Sequence, residues 1–146
     1  MYPYQYIRYL NLPVIPNNII DSINRNYDEY KKVTHKETYT WSDSFNKEIN
    51  EWCQNNICNS MYWGFQFITG DMFLHKDVGT LIKLNYLVDT GGNNVSTEFY
   101  EDDQTTLLDS VIIEPHKWHI LKADTYHCVK NVEVGQTRFS ITGRIF

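Results

Sequence analysis

The sequence is poor in cysteine, with three in 146 residues: Cys53, Cys58 and Cys128. An odd count with no paired framework and no CxxC spacing excludes a disulfide scaffold and a thiolate zinc site. It fits a reduced, cytoplasmic setting. Long apolar runs are missing too, so no segment reads as a membrane-spanning helix. The first residues, Met1 to Arg8, lack the charged start and apolar stretch of a signal peptide. Basic residues are outnumbered, 13 Lys and Arg against 18 Asp and Glu, for a net charge of -5. That balance counts against a general nucleic-acid or membrane-surface binder, which carries a basic face. There is no internal repeat, low-complexity segment or linker, so residues 1–146 are expected to form one domain. Nothing in the chain sets an oligomeric state.

What the chain does have is aromatic side chains, 15% of its residues. These suit pleated sheets. Two helices are expected in the first 60 residues. One runs from about Asn17 to Tyr27, with an apolar stripe of Ile19, Ile20, Ile23 and Tyr27. A second is capped by Ser42 or Ser44 and buries Phe45, Ile49, Trp52, Cys53 and Ile57. Both are one-sided, so they should cover a sheet. Tyr4 to Leu10 reads as an edge strand, and Asp28 to Thr40 as loop with a short strand.

From residue 61 the texture changes. Short strand-like runs follow one another at 62–68, 72–74, 80–88, 96–100, 110–114, 118–122, 127–132 and 136–146. Turn signals separate them, such as Thr69-Gly70-Asp71 and Asp89-Thr90-Gly91-Gly92. Many short strands without intervening helices predict a sandwich or a jelly roll.

His75-Lys76-Asp77 carries the chemistry. Residues two apart on a strand share a face, so His75 and Asp77 point the same way. His127 follows 50 positions after Asp77. Two histidines and one carboxylate, with positions left open, form the metal-binding set of non-haem Fe(II) oxygenases. Eleven residues after His127 comes Arg138. Period two sets Arg138, Ser140, Thr142 and Arg144 on one face, with Phe139, Ile141 and Ile145 on the other. Taken alone, that pattern fits an ordinary strand with its polar face in water. In a barrel braced from outside by helices, the apolar face lies under the helices and the polar face lines the cavity. A buried guanidinium there needs an anionic partner, and a ligand carboxylate would supply one.

From about Phe65 to Phe146 the chain resembles the Fe(II)/2-oxoglutarate-dependent oxygenases, near the prolyl-hydroxylase-like branch, as a short single-domain member. The residues that carry the likeness are Gly70–Asp77, Leu84-Asn85-Tyr86-Leu87, Gly91-Gly92 with Thr97-Glu98-Phe99, and His127 with Arg138-x-Ser140. The resemblance implies a mainly β double-stranded β-helix, a cupin-like jelly roll over 61–146, with two helices from 1–60 bracing one sheet. It implies Fe(II) on His75, Asp77 and His127, and 2-oxoglutarate as co-substrate with O2. Arg138, Ser140 and Tyr86 would hold the far carboxylate of 2-oxoglutarate. Leu84, Thr97, Val129 and Arg144 would be candidate pocket residues. The implied reaction couples decarboxylation of 2-oxoglutarate, giving succinate and CO2, to hydroxylation of a C–H bond in a peptidyl proline, a free amino acid or another small molecule. No residue beyond the metal ligands is expected to act in catalysis. One departure stands out: where relatives carry a tyrosine eight or nine positions before HxD, this chain has Gln66 and Phe67.

Three rival readings remain. Arg138-x-Ser-x-Thr-x-Arg144 is similar to the signature of oxygenases that demethylate alkylated nucleic acids, although the acidic charge opposes that substrate. His116 and His119 with His127 would make a three-histidine zinc site. A non-catalytic jelly-roll binding module is the third.

Overall fold

A computed structural model describes residues 5–23, 34–36, 39–42 and 46–144. Eight strands build the body: β4 (Tyr62–Ile68), β5 (Met72–His75), β6 (Ile82–Thr90), β7 (Ser96–Tyr100), β8 (Leu107–Val111), β9 (Trp118–Lys122), β10 (Tyr126–Lys130) and β11 (Arg138–Arg144). Before them come β1 (Ile7–Tyr9), β2 (Thr34–Lys36), β3 (Tyr39–Ser42) and the helices α1 (Asn17–Ile20) and α2 (Lys47–Asn56).

The pairing defines the architecture. β4 pairs with β11, β5 with β10, β6 with β9 and β7 with β8, all antiparallel. These are the partners the strands would have if the chain were one long hairpin folded at the β7–β8 turn. Contacts of β6 with β11 and β7 with β10 then roll that hairpin into two sheets. One sheet has the order β1-β9-β6-β11-β4-β3-β2 and the other β5-β10-β7-β8. The fold is a cupin-like jelly roll, mainly β.

Period-two patterning decides which face goes where. On the larger sheet Trp63, Phe65 and Phe67 of β4, Leu84, Tyr86 and Val88 of β6, Trp118 of β9, and Phe139 and Ile141 of β11 join one core. Ile15, Ile20, Ile23, Ile49 and Cys53 from the N-terminal segment and helices cover it. Its rings interlock: Phe67 stacks on Phe139 at 4.9 Å, and Trp63 meets Trp118 edge-on at 5.3 Å. The side chains of opposite parity face the other sheet.

Helix α2 is fixed through its N-terminal half. Asn46 caps it, its side chain accepting from the Ile49 amide at 3.0 Å. The cap expected from Ser42 or Ser44 is thus replaced: Ser42 ends β3, and Ser44 lies outside the described residues, as does Phe45. Asn50 then locks α2 to β4, donating to the Trp63 carbonyl at 3.1 Å and accepting from the Trp63 amide at 2.9 Å. The first helix is shorter than its stripe suggests. It ends at Ile20 and continues as a turn through Ile23, and Tyr27 lies outside the described residues. Trp118 anchors the stretch before it, its indole N–H donating to the Pro13 carbonyl at 2.7 Å. The segment expected to be mostly loop contributes two strands, β2 and β3, which extend the larger sheet from β4. Strand β1 lies at that sheet's other edge, as its sequence suggests. Among the described residues no helix is long and apolar enough to cross a membrane. None of the three cysteines is paired.

Candidate metal centre

The smaller sheet brings the ligand candidates together. His75 ends β5 and His127 lies directly opposite it on β10. Their rings are 4.5 Å apart. Asp77 follows in the loop after β5, with its amide donating to the Ala123 carbonyl at 2.9 Å. One donor atom from each of the three lies within 4.8 Å of the others. The His75 Nε2 is 3.5 Å from Asp77 Oδ1.

Both histidines are held from behind. The Nδ1 of His75 meets the Phe73 carbonyl at 2.8 Å, and that of His127 meets the Thr125 carbonyl at 2.7 Å. A carbonyl only accepts, so each Nδ1 carries the proton and each Nε2 offers its lone pair. Burial pushes His127 down to about 4, against the opposing pull of the Thr125 carbonyl and the Asp77 carboxylate. Its imidazole is therefore neutral at neutral pH, the form that binds a metal. The donor set fits a first-row dication that takes nitrogen and oxygen ligands.

The cavity behind the three is lined from the larger sheet by Gln66, Lys83, Asn85, His119, Arg138 and Ser140, and from the smaller sheet by Met72, Thr97 and Val129. Its free volume is about 30 Å³, near the share of one liquid water. Gln66 and Met72 are the long neutral side chains of this lining, and admitting a larger ligand would require them to change rotamer.

Arg138 is 4% exposed. Among the described residues its guanidinium reaches neutral oxygens, the Thr90 carbonyl at 3.4 Å and the Thr97 hydroxyl at 3.3 Å. Among the described residues no carboxylate pairs with it. Burial pulls it down to about 10. Gly91 makes room for it: φ is +81°, and a Cβ there would lie 2.9 Å from the Arg138 backbone nitrogen. Ser140 is buried on the same face, and Thr142 donates its hydroxyl to the Asn85 side-chain oxygen one step further along.

Tyr86 and Leu84 do not join this cavity. They share a strand face, but it is the face under the helices, where Tyr86 packs against Trp118 at 5.0 Å and its hydroxyl faces the Ile15 backbone. The carboxylate contact expected of Tyr86, and the pocket role expected of Leu84, are corrected on that ground. Thr97 and Val129 stand in the cavity wall. The backbone of Arg144 pairs with Tyr62, and its side chain is outside the described residues.

The zinc alternative is not assembled. His116 is exposed on a turn with φ +61° and its ring lies toward Tyr86, whereas His119 is buried in the cavity. Burial holds His119 at about 4, and so neutral. Sequence reasoning passed over Lys83, Asn85 and the cavity position of His119. Lys76 is exposed to solvent, approaching Asp102 at 3.8 Å and lying 4.8 Å over the Tyr126 ring.

No protein-family model and no curated protein matches this sequence. Solved structures with a similar course include a non-heme monooxygenase, a ThoJ–Ni complex, at 8% identity and a TM-score of 0.49, covering 96% of this chain and 74% of that one. Another is a cupin-2 domain containing protein from Shewanella frigidimarina at 5% identity and a TM-score of 0.43, covering 88% and 99%. At these values neither likeness carries an argument about chemistry. The fold assignment rests on the strand pairing.

Proposed function

We propose that this chain is an Fe(II)- and 2-oxoglutarate-dependent oxygenase that hydroxylates a C–H bond of a small molecule or peptide. The observation that carries the reading is Arg138: a buried guanidinium without a carboxylate partner among the described residues, lining the cavity that also holds His75 and His127. An unpaired buried charge is costly. A diacid with one end on the metal and the other on Arg138 removes that cost through paired, charge-assisted hydrogen bonds.

The residues divide the work. His75, Asp77 and His127 would hold the iron through two nitrogens and one oxygen, leaving its other positions for ligands. Arg138 would bind the far carboxylate, with Ser140 beside it on the strand. Asn85 and His119 give the cavity neutral polar walls, and Phe99 backs His127 at 6.0 Å. When bound, iron and 2-oxoglutarate would supply the oxidising power, with succinate and CO2 as products. The protein orients them and limits water in a narrow interior.

The surface near the centre argues for the substrate class. A groove of about 560 Å³ is lined by Glu101, Asp102, Asp103, Lys122, Asp124 and Thr125, the last being the residue whose carbonyl holds His127. Lys122 pairs with Asp124 at 2.6 Å, and the three remaining carboxylates leave the groove acidic, which sets a phosphate backbone behind peptides and small molecules.

The test is turnover in air. Iron-loaded protein should convert 2-oxoglutarate to succinate slowly without a second substrate, and His127→Ala should not. Prolyl peptides, free amino acids and methylated oligonucleotides, added in turn, should separate the substrate classes by which one accelerates succinate release. No succinate under any of these conditions would overturn the reading.

A further inference from the structure

Each of the three ligand groups has a support on the side away from the others, and for Asp77 that support is Lys83. The histidines are steadied by carbonyls two residues before them on their own chain segments. Among the described residues no backbone carbonyl or amide holds the Asp77 carboxylate in this way. It sits beyond the end of β5, and Val78 and Gly79 follow it, Val78 almost fully exposed and Gly79 at φ +77°. Nothing in that loop's backbone would keep the carboxylate from rotating about its side-chain bonds. Lys83 comes from β6, in the opposite sheet, and its ammonium lies 2.6 Å from Asp77 Oδ2, an ion pair by distance whose angles are not those of an aligned hydrogen bond. The other oxygen, Oδ1, is the one turned to His75 Nε2. The two oxygens are thus divided, one toward the ligand cluster and one toward the lysine. Both side chains are largely shielded, at 18% and 17% exposure, so the pairing is not a loose surface contact.

We propose that Lys83 is the positioning residue of the metal centre. It ties down Oδ2 so that Asp77 binds the metal through Oδ1 alone, and the position a second carboxylate oxygen would take stays open for an incoming ligand. The tie also joins the two sheets at the centre. Partners of this kind behind a metal ligand are worth 10- to 100-fold in metal affinity. The inference rests on the metal-centre part of the proposed function and not on the identity of the co-substrate.

Co(II) is the probe, because its visible d–d bands report coordination number and its affinity can be read by titration against a chelator. The variants are Lys83→Met, which removes the donor, and Lys83→Arg, which keeps a charged donor. Thermal unfolding of each metal-free protein checks that it folds. We expect Lys83→Met to bind Co(II) 10- to 100-fold more weakly than wild type, with weaker d–d bands as the carboxylate swings to two-oxygen binding. Lys83→Arg should recover most of both. If the ammonium acted only as a rival cation, Lys83→Met would bind Co(II) as tightly as wild type or more tightly with unchanged bands, and that result would overturn the proposal. Should Lys83→Met not fold, Lys83→Gln takes its place, with the same two outcomes. Wild-type protein that bound no Co(II) would overturn this inference and the metal centre together. Co(II) binding that depends on Lys83 but is indifferent to 2-oxoglutarate would leave this inference standing and remove the co-substrate reading.

Discussion

Arg138→Met should make the metal-free protein more stable while removing its hold on a diacid. The guanidinium is 4% exposed and, among the described residues, meets two neutral oxygens, at 3.4 and 3.3 Å. Its pull from 12.5 down to about 10 means that burial disfavours the charged form by about 3 kcal/mol. Methionine has a similar length and no charge, so it sheds that cost. The two long hydrogen bonds lost with it are worth about 1–2 kcal/mol together. The net expectation is a gain of about 1–2 kcal/mol, or roughly 3–6 °C in melting temperature for a chain of this size. Binding moves the opposite way. Removing one partner of a buried ion pair costs about 3–5 kcal/mol, which corresponds to a roughly 100- to 4,000-fold weaker affinity for 2-oxoglutarate. Differential scanning calorimetry of metal-free protein gives the first number, and titration of Co(II)-loaded protein with 2-oxoglutarate the second. A variant destabilised by more than about 1 kcal/mol, with unchanged affinity for the diacid, would refute the reasoning. Arg138 would then be a structural residue.

The remaining predictions test other links. Tyr86→Phe should leave the affinity for 2-oxoglutarate within about twofold, because the hydroxyl is on the helix side of the sheet; a lost contact would cost roughly tenfold, read in the same titration. Acid should weaken the metal-free fold partly through His119, which takes its proton near pH 6.5 when unfolded but only near 4 when folded. Between those values the unfolded state binds more protons, so stability falls as pH falls, by about 3 kcal/mol at pH 4. Urea unfolding of wild type and His119→Phe at pH 7 and pH 4 should show a smaller acid loss in the variant. Asn50→Leu should cost about 2–4 kcal/mol, since it leaves the Trp63 amide and carbonyl without their buried partners; chemical denaturation reads it directly.

How much could be read beforehand depends on which force set each feature. The rhythm of eight strands was legible, because turn residues and apolar runs mark strand ends locally, and β4, β7 and β9 fall on the expected residues. The face of β11 was also legible, since helices on one side require apolar residues there. The same rule applies to β6, its neighbour in the sheet: it sends Leu84, Tyr86 and Val88 under the helices and Lys83 with Asn85 into the cavity, as observed. A likeness in sequence pointed to Tyr86, and sheet geometry overrules it. The N-cap was misplaced because serines and asparagine compete for it within a few residues, and the choice is made by where α2 meets β4. The Lys83–Asp77 pair spans only six residues, but the connection between them crosses from one sheet to the other, and period-two patterning within either strand does not show that crossing.

The central claim is that His75, Asp77 and His127 hold iron so that a 2-oxo acid can chelate it. The most direct measurement is anaerobic. Fe(II) is added to the protein, then 2-oxoglutarate, and the visible spectrum is recorded. The account predicts a charge-transfer band that appears only when both are present, is absent in His75→Ala and Asp77→Ala, and needs far more 2-oxoglutarate in Arg138→Met. Wild-type protein that shows no band at saturating iron and 2-oxoglutarate would contradict it.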